Sequence, residues 1–226
     1  APSVYVLRGL VQERDPKVTL TPYGELGITL ARGNDGDGRL RAHLGVWNSL
    51  QTGSSGSNGF TEHLHYAENV SAGLAFGVTR SFLLDVTYTT YTSPNFVFDT
   101  VNEVSLRVVH ADWLNAYTIV AFDLGDHSFD AGTRKGTYFE AGISPRLHLL
   151  GTTTLTVPVS VGASLSNYYE LNGTDHRFGF LNAGAIVTLP LSGTSSRFGS
   201  WNVHGGAQVY ALGDTTKAVN QGKSSK

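Results

Sequence analysis

Residues 152 to 165, TTTLTVPVSVGASL, alternate between apolar and small or polar side chains. Leu155, Val157, Val159, Val161, Ala163 and Leu165 fall on one side, and Thr156, Pro158, Ser160, Gly162 and Ser164 on the other. Successive side chains of an extended strand point to opposite faces, so this segment is a long ribbon with one greasy surface. The same alternation returns along the whole chain. Strands in soluble sheets are mostly about 5 to 6 residues long, whereas two-faced strands of about 10 or more, repeated many times, fit a barrel in a bilayer. The expected fold is all-β, an antiparallel up-and-down transmembrane β-barrel.

The 27 Gly, 10 Tyr and 11 Phe, with only 15% charged residues, favour strands and turns over a helical bundle. No apolar run approaches the roughly 20 residues of a spanning helix, so a membrane crossing here requires a closed barrel, the other structure that satisfies its own backbone. With 0 Cys there are no disulfides, thiolate metal sites or Cys nucleophiles, and a net charge of -2 supplies no nucleic-acid footprint. A start at Ala1 fits cleavage after a small-residue site. No composition break or Pro-rich linker divides the chain, so 1–212 is expected as one barrel domain and 213–226 as a polar loop or tail, solvated from Asn220 onward.

Alternation and turn chemistry predict strands near 3–10, 18–32, 39–51, 64–79, 81–92, 101–111, 115–125, 137–150, 153–168, 176–190 and 199–212. Their connections alternate in length. Short ones fall at Thr79-Arg80, Asp112 to Leu114, Gly151-Thr152, Arg32 to Gly38 and Ser192 to Phe198; longer ones at Val11 to Lys17, Thr52 to His63, Ser93 to Thr100, Gly125 to Gly136 and Glu170 to Asp175. Bacterial outer-membrane barrels show this asymmetry, with short periplasmic turns and long outer loops. The N-terminus is thus expected on the periplasmic side. Such barrels have an even strand count, so the eleven visible strands imply a total of about twelve: either the last lies beyond residue 226, which the lack of an aromatic-ended final strand favours, or the count of eleven is off by one.

The apolar set, Val70, Ala72, Leu74, Phe76 and Val78, Val104, Leu106 and Val108, Phe139, Ala141 and Ile143, and Leu181 to Leu189 in alternation, is assigned to lipid. Nearly every ionisable strand residue falls on the other face, which leaves Glu25, Arg41, His43, Asp85, Glu103, Arg107, Glu140, Arg146, His148 and His204 as the pore-lining candidates. A charge on the lipid face costs up to about 2–4 kcal/mol for Arg or Lys at mid-bilayer, so this segregation is what a membrane barrel requires; a lipocalin-like soluble barrel would reverse it. Opposed acidic and basic groups in a polar lumen set a transverse field that selects solutes. The expected function is a porin-like passive channel for small polar solutes in the bacterial outer membrane, without catalysis, cofactor or metal. Its partners would be the lipid bilayer and lipopolysaccharide, with homo- or hetero-oligomers open and nucleic acid excluded. The alternative is a structural or interaction barrel whose lumen is plugged and whose loops, chiefly Thr52 to His63 and Gly125 to Gly136, bind a partner. Aromatics near strand ends, including Phe82, Trp113, Trp201, Tyr66, Tyr91 and Tyr138, fit two interfacial girdles or simply strand preference.

Other motifs carry less. Asn34-Asp35-Gly36-Asp37-Gly38 looks like part of a calcium loop but lacks the distal Glu, and Asp-Gly is a hairpin turn. His63 and His65 beside Glu62 lack a third metal ligand. His127-Ser128 with Asp126 and Asp130 has no nucleophile elbow around it.

Tyr5-Val6-Leu7-Arg8-Gly9-Leu10-Val11-Gln12, followed by Gly45-Val46-Trp47-Asn48-Ser49, resembles the opening of the TorF-type putative porins, bacterial outer-membrane proteins that begin with a "YVFRG" segment and carry an "AGVWxS" strand. The likeness covers about the first fifth of the chain, and Gly38 to His43 is more charged than that family's pattern. It implies an outer-membrane β-barrel with a passive transport role.

Overall fold

The computed structural model describes residues 6–11, 18–33, 39–52, 64–125, 134–191 and 201–224. It is all-β apart from one short helix, as the alternation predicts. The strands are β1 (Val6–Leu7), β2 (Leu10–Val11), β3 (Thr19–Leu20), β4 (Tyr23–Ala31), β5 (Arg39–Gln51), β6 (His65–Gly77), β7 (Phe82–Thr92), β8 (Val101–His110) and β9 (Ala116–Asp123). They continue with β10 (Thr137–Ile143), β11 (Arg146–His148), β12 (Thr154–Thr156), β13 (Val159–Ser166), β14 (Glu170–Leu171), β15 (Thr174–Asp175), β16 (Phe178–Pro190) and β17 (Asn202–Leu212), and α1 (Asp214–Val219) follows.

Thirteen strands form one antiparallel up-and-down sheet. Three expected ribbons are each broken in two where proline removes a ladder donor: at Pro22 between β3 and β4, at Pro145 between β10 and β11, and at Pro158 between β12 and β13. With those pieces rejoined, the sheet is ten ribbons, running β4, β5, β6, β7, β8, β9, β10, β13, β16, β17, each antiparallel to the next.

Three of the short turns fall as the sequence predicts, while Ser192 to Phe198 and Asn34 to Gly38 lie outside the described residues. Thr79 Oγ1 accepts from the Phe82 amide at 3.1 Å, Asp112 Oδ1 accepts from the Leu114 and Asn115 amides at 3.0 Å, and Gly151 takes a left-handed φ of 60°. Phe82 at the first of these turns stacks on His110 with centroids 4.4 Å apart.

Two expectations are corrected. Of the ribbon expected at 3–10, residues 3–5 lie outside the described residues, and Val6 to Leu10 do not join the sheet as an eleventh ribbon. Arg8 and Gly9 both have left-handed backbone, φ 51° and 76°, which reverses the chain into the hairpin β1–β2, and a Cβ at Gly9 would stand 2.7 Å from Phe180. Residues 6–11 therefore lie at the end of the sheet that carries the long connections rather than crossing from the short-turn end. The second correction concerns the segment from Gly213, expected as a polar tail. It forms α1, whose Thr215 and Thr216 are buried and donate to the Tyr169 and Gly179 carbonyls at 2.8 and 2.6 Å, with Asn220 buried beyond it. Local composition reads as solvated there because the partners lie some 40 residues away.

Closure is not found: among the described residues the ladder ends at β4 on one side and β17 on the other. The sheet is nonetheless strongly curled. Arg8 bonds Glu103 on β8 while its neighbour Gly9 touches Phe180 on β16, although four strand spacings, about 19 Å along the sheet, separate those strands.

Candidate functional site

The curled sheet gives an inner and an outer face, and the predicted period-2 split is visible in exposure. Outer-face Leu44, Val70, Leu74, Val86 and Val209 are exposed, whereas inner-face Glu103, Asp123, Ser160, Ser164 and Asn182 are buried. A soluble barrel would show the opposite arrangement.

The inner face divides into a mouth at the long-connection end and a wider band below it. At the mouth sits Arg8. Its Nη2 donates to Glu103 Oε1 at 2.6 Å and its Nη1 to Glu103 Oε2, a bidentate charge-assisted pair. Nη1 also donates to the Tyr168 hydroxyl at 2.9 Å, and the guanidinium lies 4.3 Å from the Tyr138 ring centroid, a cation–π contact. Tyr169 donates its hydroxyl proton to the Arg8 carbonyl at 2.9 Å. Tyr138, Tyr168 and Tyr169 pack on one another with Leu10, Phe180 and Leu212 as the principal buried apolar cluster of the described residues. Burial pushes the Tyr168 phenol well above its usual pKa, against the opposing pull of Arg8. The surrounding loops are tied in by Arg134 Nε to Glu170 Oε2 at 3.1 Å and by Ser164 Oγ to Asp175 Oδ1 at 2.6 Å.

Below the mouth, most of the predicted lining residues come together in pairs. Arg41 Nη2 donates to Glu25 Oε1 at 2.6 Å, and Tyr23 donates to Glu25 Oε2 at 2.7 Å. His43 Nε2 meets Asp85 Oδ2 at 3.0 Å, and Thr87 donates to the same carboxylate. Arg107 lies over the Tyr117 ring at 5.5 Å, and Tyr117 donates to Glu140 Oε1 at 2.5 Å while Tyr138 donates to its other oxygen. Arg146, His148 and His204 are exposed and enter none of these pairs. Arg146 instead borders a small cavity at the short-turn end with Asp112, Trp113 and Asn115.

Strand parity found Glu103 and Glu140, but it passed over Arg8, Tyr168 and Tyr169, the groups that close the mouth. The Arg-Gly pair inside an apolar segment was the available turn signal. His65 Nε2 faces Asn48 Oδ1 at 2.8 Å, and among the described residues no group of three potential ligands could hold a metal. Glu62, His63, the Asn34 to Gly38 run, and His127-Ser128 with Asp126 and Asp130 lie outside the described residues. No helix among the described residues is long and apolar enough to cross a membrane, which says nothing of strands.

The fold is that of a many-stranded antiparallel up-and-down sheet curled around a polar inner face. No protein-family model, curated protein or solved structure matches the chain.

Proposed function

We propose that this protein is a porin-like passive channel for small polar solutes, a transmembrane barrel of about twelve strands in a bacterial outer membrane. The observation that carries this is the inversion of the two faces. Leu44 is 57% and Leu74 50% exposed on the outer face, while Glu103 is 1% and Asp123 5% exposed inside. An apolar band of this extent, continuing through Val70, Val86, Leu106, Leu181 and Val209, far exceeds the patches that soluble monomers present to water and suits contact with lipid and lipopolysaccharide.

Strand directions support the count. Among ten ribbons that alternate in direction, β4 and β17 run oppositely, so up-and-down closure keeps an even count, which twelve strands satisfy as ten do. The outer edge of β17 is engaged at its last residue. The Gly213 amide points to β16, so the Leu212 amide points away from it, and it donates to the Ser224 carbonyl at 2.9 Å. The inner charges, the Glu25–Arg41 pair and Asp85 beside His43, supply the field that sorts solutes.

The hairpin lodged in the mouth favours a second reading, a plugged barrel with a structural or partner-binding role. Planar bilayers separate the two. The purified protein is expected to open stepwise ion conductances, and protein that inserts without ever conducting would refute the channel and leave the plugged barrel.

A further inference from the structure

Resting on the inner-face assignment of that barrel, we propose a subsite for one ring of a neutral saccharide on β4 to β7. The register sets Tyr23 opposite Trp47, Trp47 opposite Asn69 and Asn69 opposite Tyr91, so these side chains form one transverse row on the inner face. Beneath the row, Gly45, Val46, Ser71, Thr87 and Thr89 line the remainder of a cavity of about 230 Å³. Gly45 keeps the floor open, since a Cβ there would meet Ser71 Oγ at 2.7 Å. At about 30 Å³ per water the cavity holds about eight waters, the scale of a single sugar ring rather than an extended chain.

The chemistry of the lining selects the ligand. No ionised side chain borders the cavity, and the neighbouring carboxylates are engaged, Glu25 by Arg41 and Tyr23, Asp85 by His43, and Glu103 by Arg8 and Tyr91. A charged solute would enter without a counter-charge, which is costly. The Tyr23 hydroxyl is anchored on Glu25, which fixes its ring at the edge of the row. Asn69 Oδ1 is buried and accepts no hydrogen bond among the described residues, an unusual state for a buried carboxamide. A pyranose answers these features. Its apolar C–H faces lie against Trp and Tyr rings, and its rim of hydroxyls exchanges hydrogen bonds with the Asn69 carboxamide and with Ser and Thr hydroxyls.

Saturation-transfer NMR on the detergent-solubilised protein tests this with D-glucose and maltose as probes and lysine and glutamate as charged controls. Both sugars are expected to give saturable transfer and the controls none. Asn69→Leu and Trp47→Ala should each weaken sugar binding at least tenfold and Trp47→Phe less than threefold, with urea midpoints of Asn69→Leu and Trp47→Phe near the parent's certifying the fold. No saturable transfer from either sugar, equal transfer from lysine, or undiminished binding by a folded Asn69→Leu variant would overturn the subsite. Bilayer conductance keeps the two ideas apart: conductance without sugar binding removes the subsite and spares the channel, and sugar binding without conductance does the reverse.

Discussion

Glu103→Ala strikes the mouth where it is most tightly tied. Glu103 is 1% exposed, and its two oxygens take both terminal nitrogens of Arg8, a side chain 10% exposed. Removing one member of a buried pair leaves an uncompensated charge, at a cost of about 3–5 kcal/mol. That cost has a ceiling, because the β1–β2 hairpin can swing Arg8 into water and give up its own docking. Docking includes the full burial of Leu10, about 1.5–3 kcal/mol, and the cation–π contact on Tyr138, about 2 kcal/mol when desolvated. The expected result is therefore local. Amide exchange at Leu10 and around Tyr168 should rise by two or more orders of magnitude, while the strands of β5 to β8 keep their protection. Replacing both partners, Arg8→Met with Glu103→Leu, should restore most of the protection, since an apolar pair of similar volume removes the stranded charge. Hydrogen exchange read by mass spectrometry on the detergent-solubilised protein measures both variants. Unchanged exchange at Leu10 in Glu103→Ala, or a double variant as labile as the single one, would refute the view that this ion pair holds the hairpin in place.

Three further outcomes follow from the same geometry. Leu74→Arg on the outer face should cost about 2–4 kcal/mol of folding into vesicles if the residue sits near mid-bilayer, against under about 0.5 kcal/mol for an ordinary solvent-facing site; urea titration in vesicles decides which. Gly9→Ala should loosen the hairpin by at least about 1 kcal/mol, because φ is 76° and the new methyl would stand 2.7 Å from Phe180, a change visible as faster proteolysis at the N-terminus. The Tyr168 phenol is raised in the folded state, so its contribution to stability is complete below the unfolded value near pH 10 and is lost as pH climbs beyond it; Tyr168→Phe should flatten the fall in urea midpoint between pH 9 and pH 11.

Most of the sheet was legible because alternation is a local property. Leu181, Ala183, Ala185, Val187 and Leu189 announce an extended ribbon wherever it is packed, and β16 spans Phe178–Pro190 accordingly. The turn at Asp112 was equally plain, since its side chain bonds amides two and three residues on. Pairings such as Glu25 with Arg41 could not be read, although both residues were placed on one face, because parity fixes the face and not the cross-strand register.

The hairpin at Arg8 marks the boundary between the two kinds of information. By itself the sequence determined the strands, their order and the face on which each side chain stands, since these follow from a two-residue repeat and short turn signals. Tertiary structure alone decided that residues 6–11 leave the sheet and cap its mouth and that α1 is bound rather than solvated. Those outcomes rest on Glu103, 95 residues away, on the Tyr168 hydroxyl, 160 residues away, and on carbonyls of β16 and the loop before it, and chain distances of that kind leave no periodic trace.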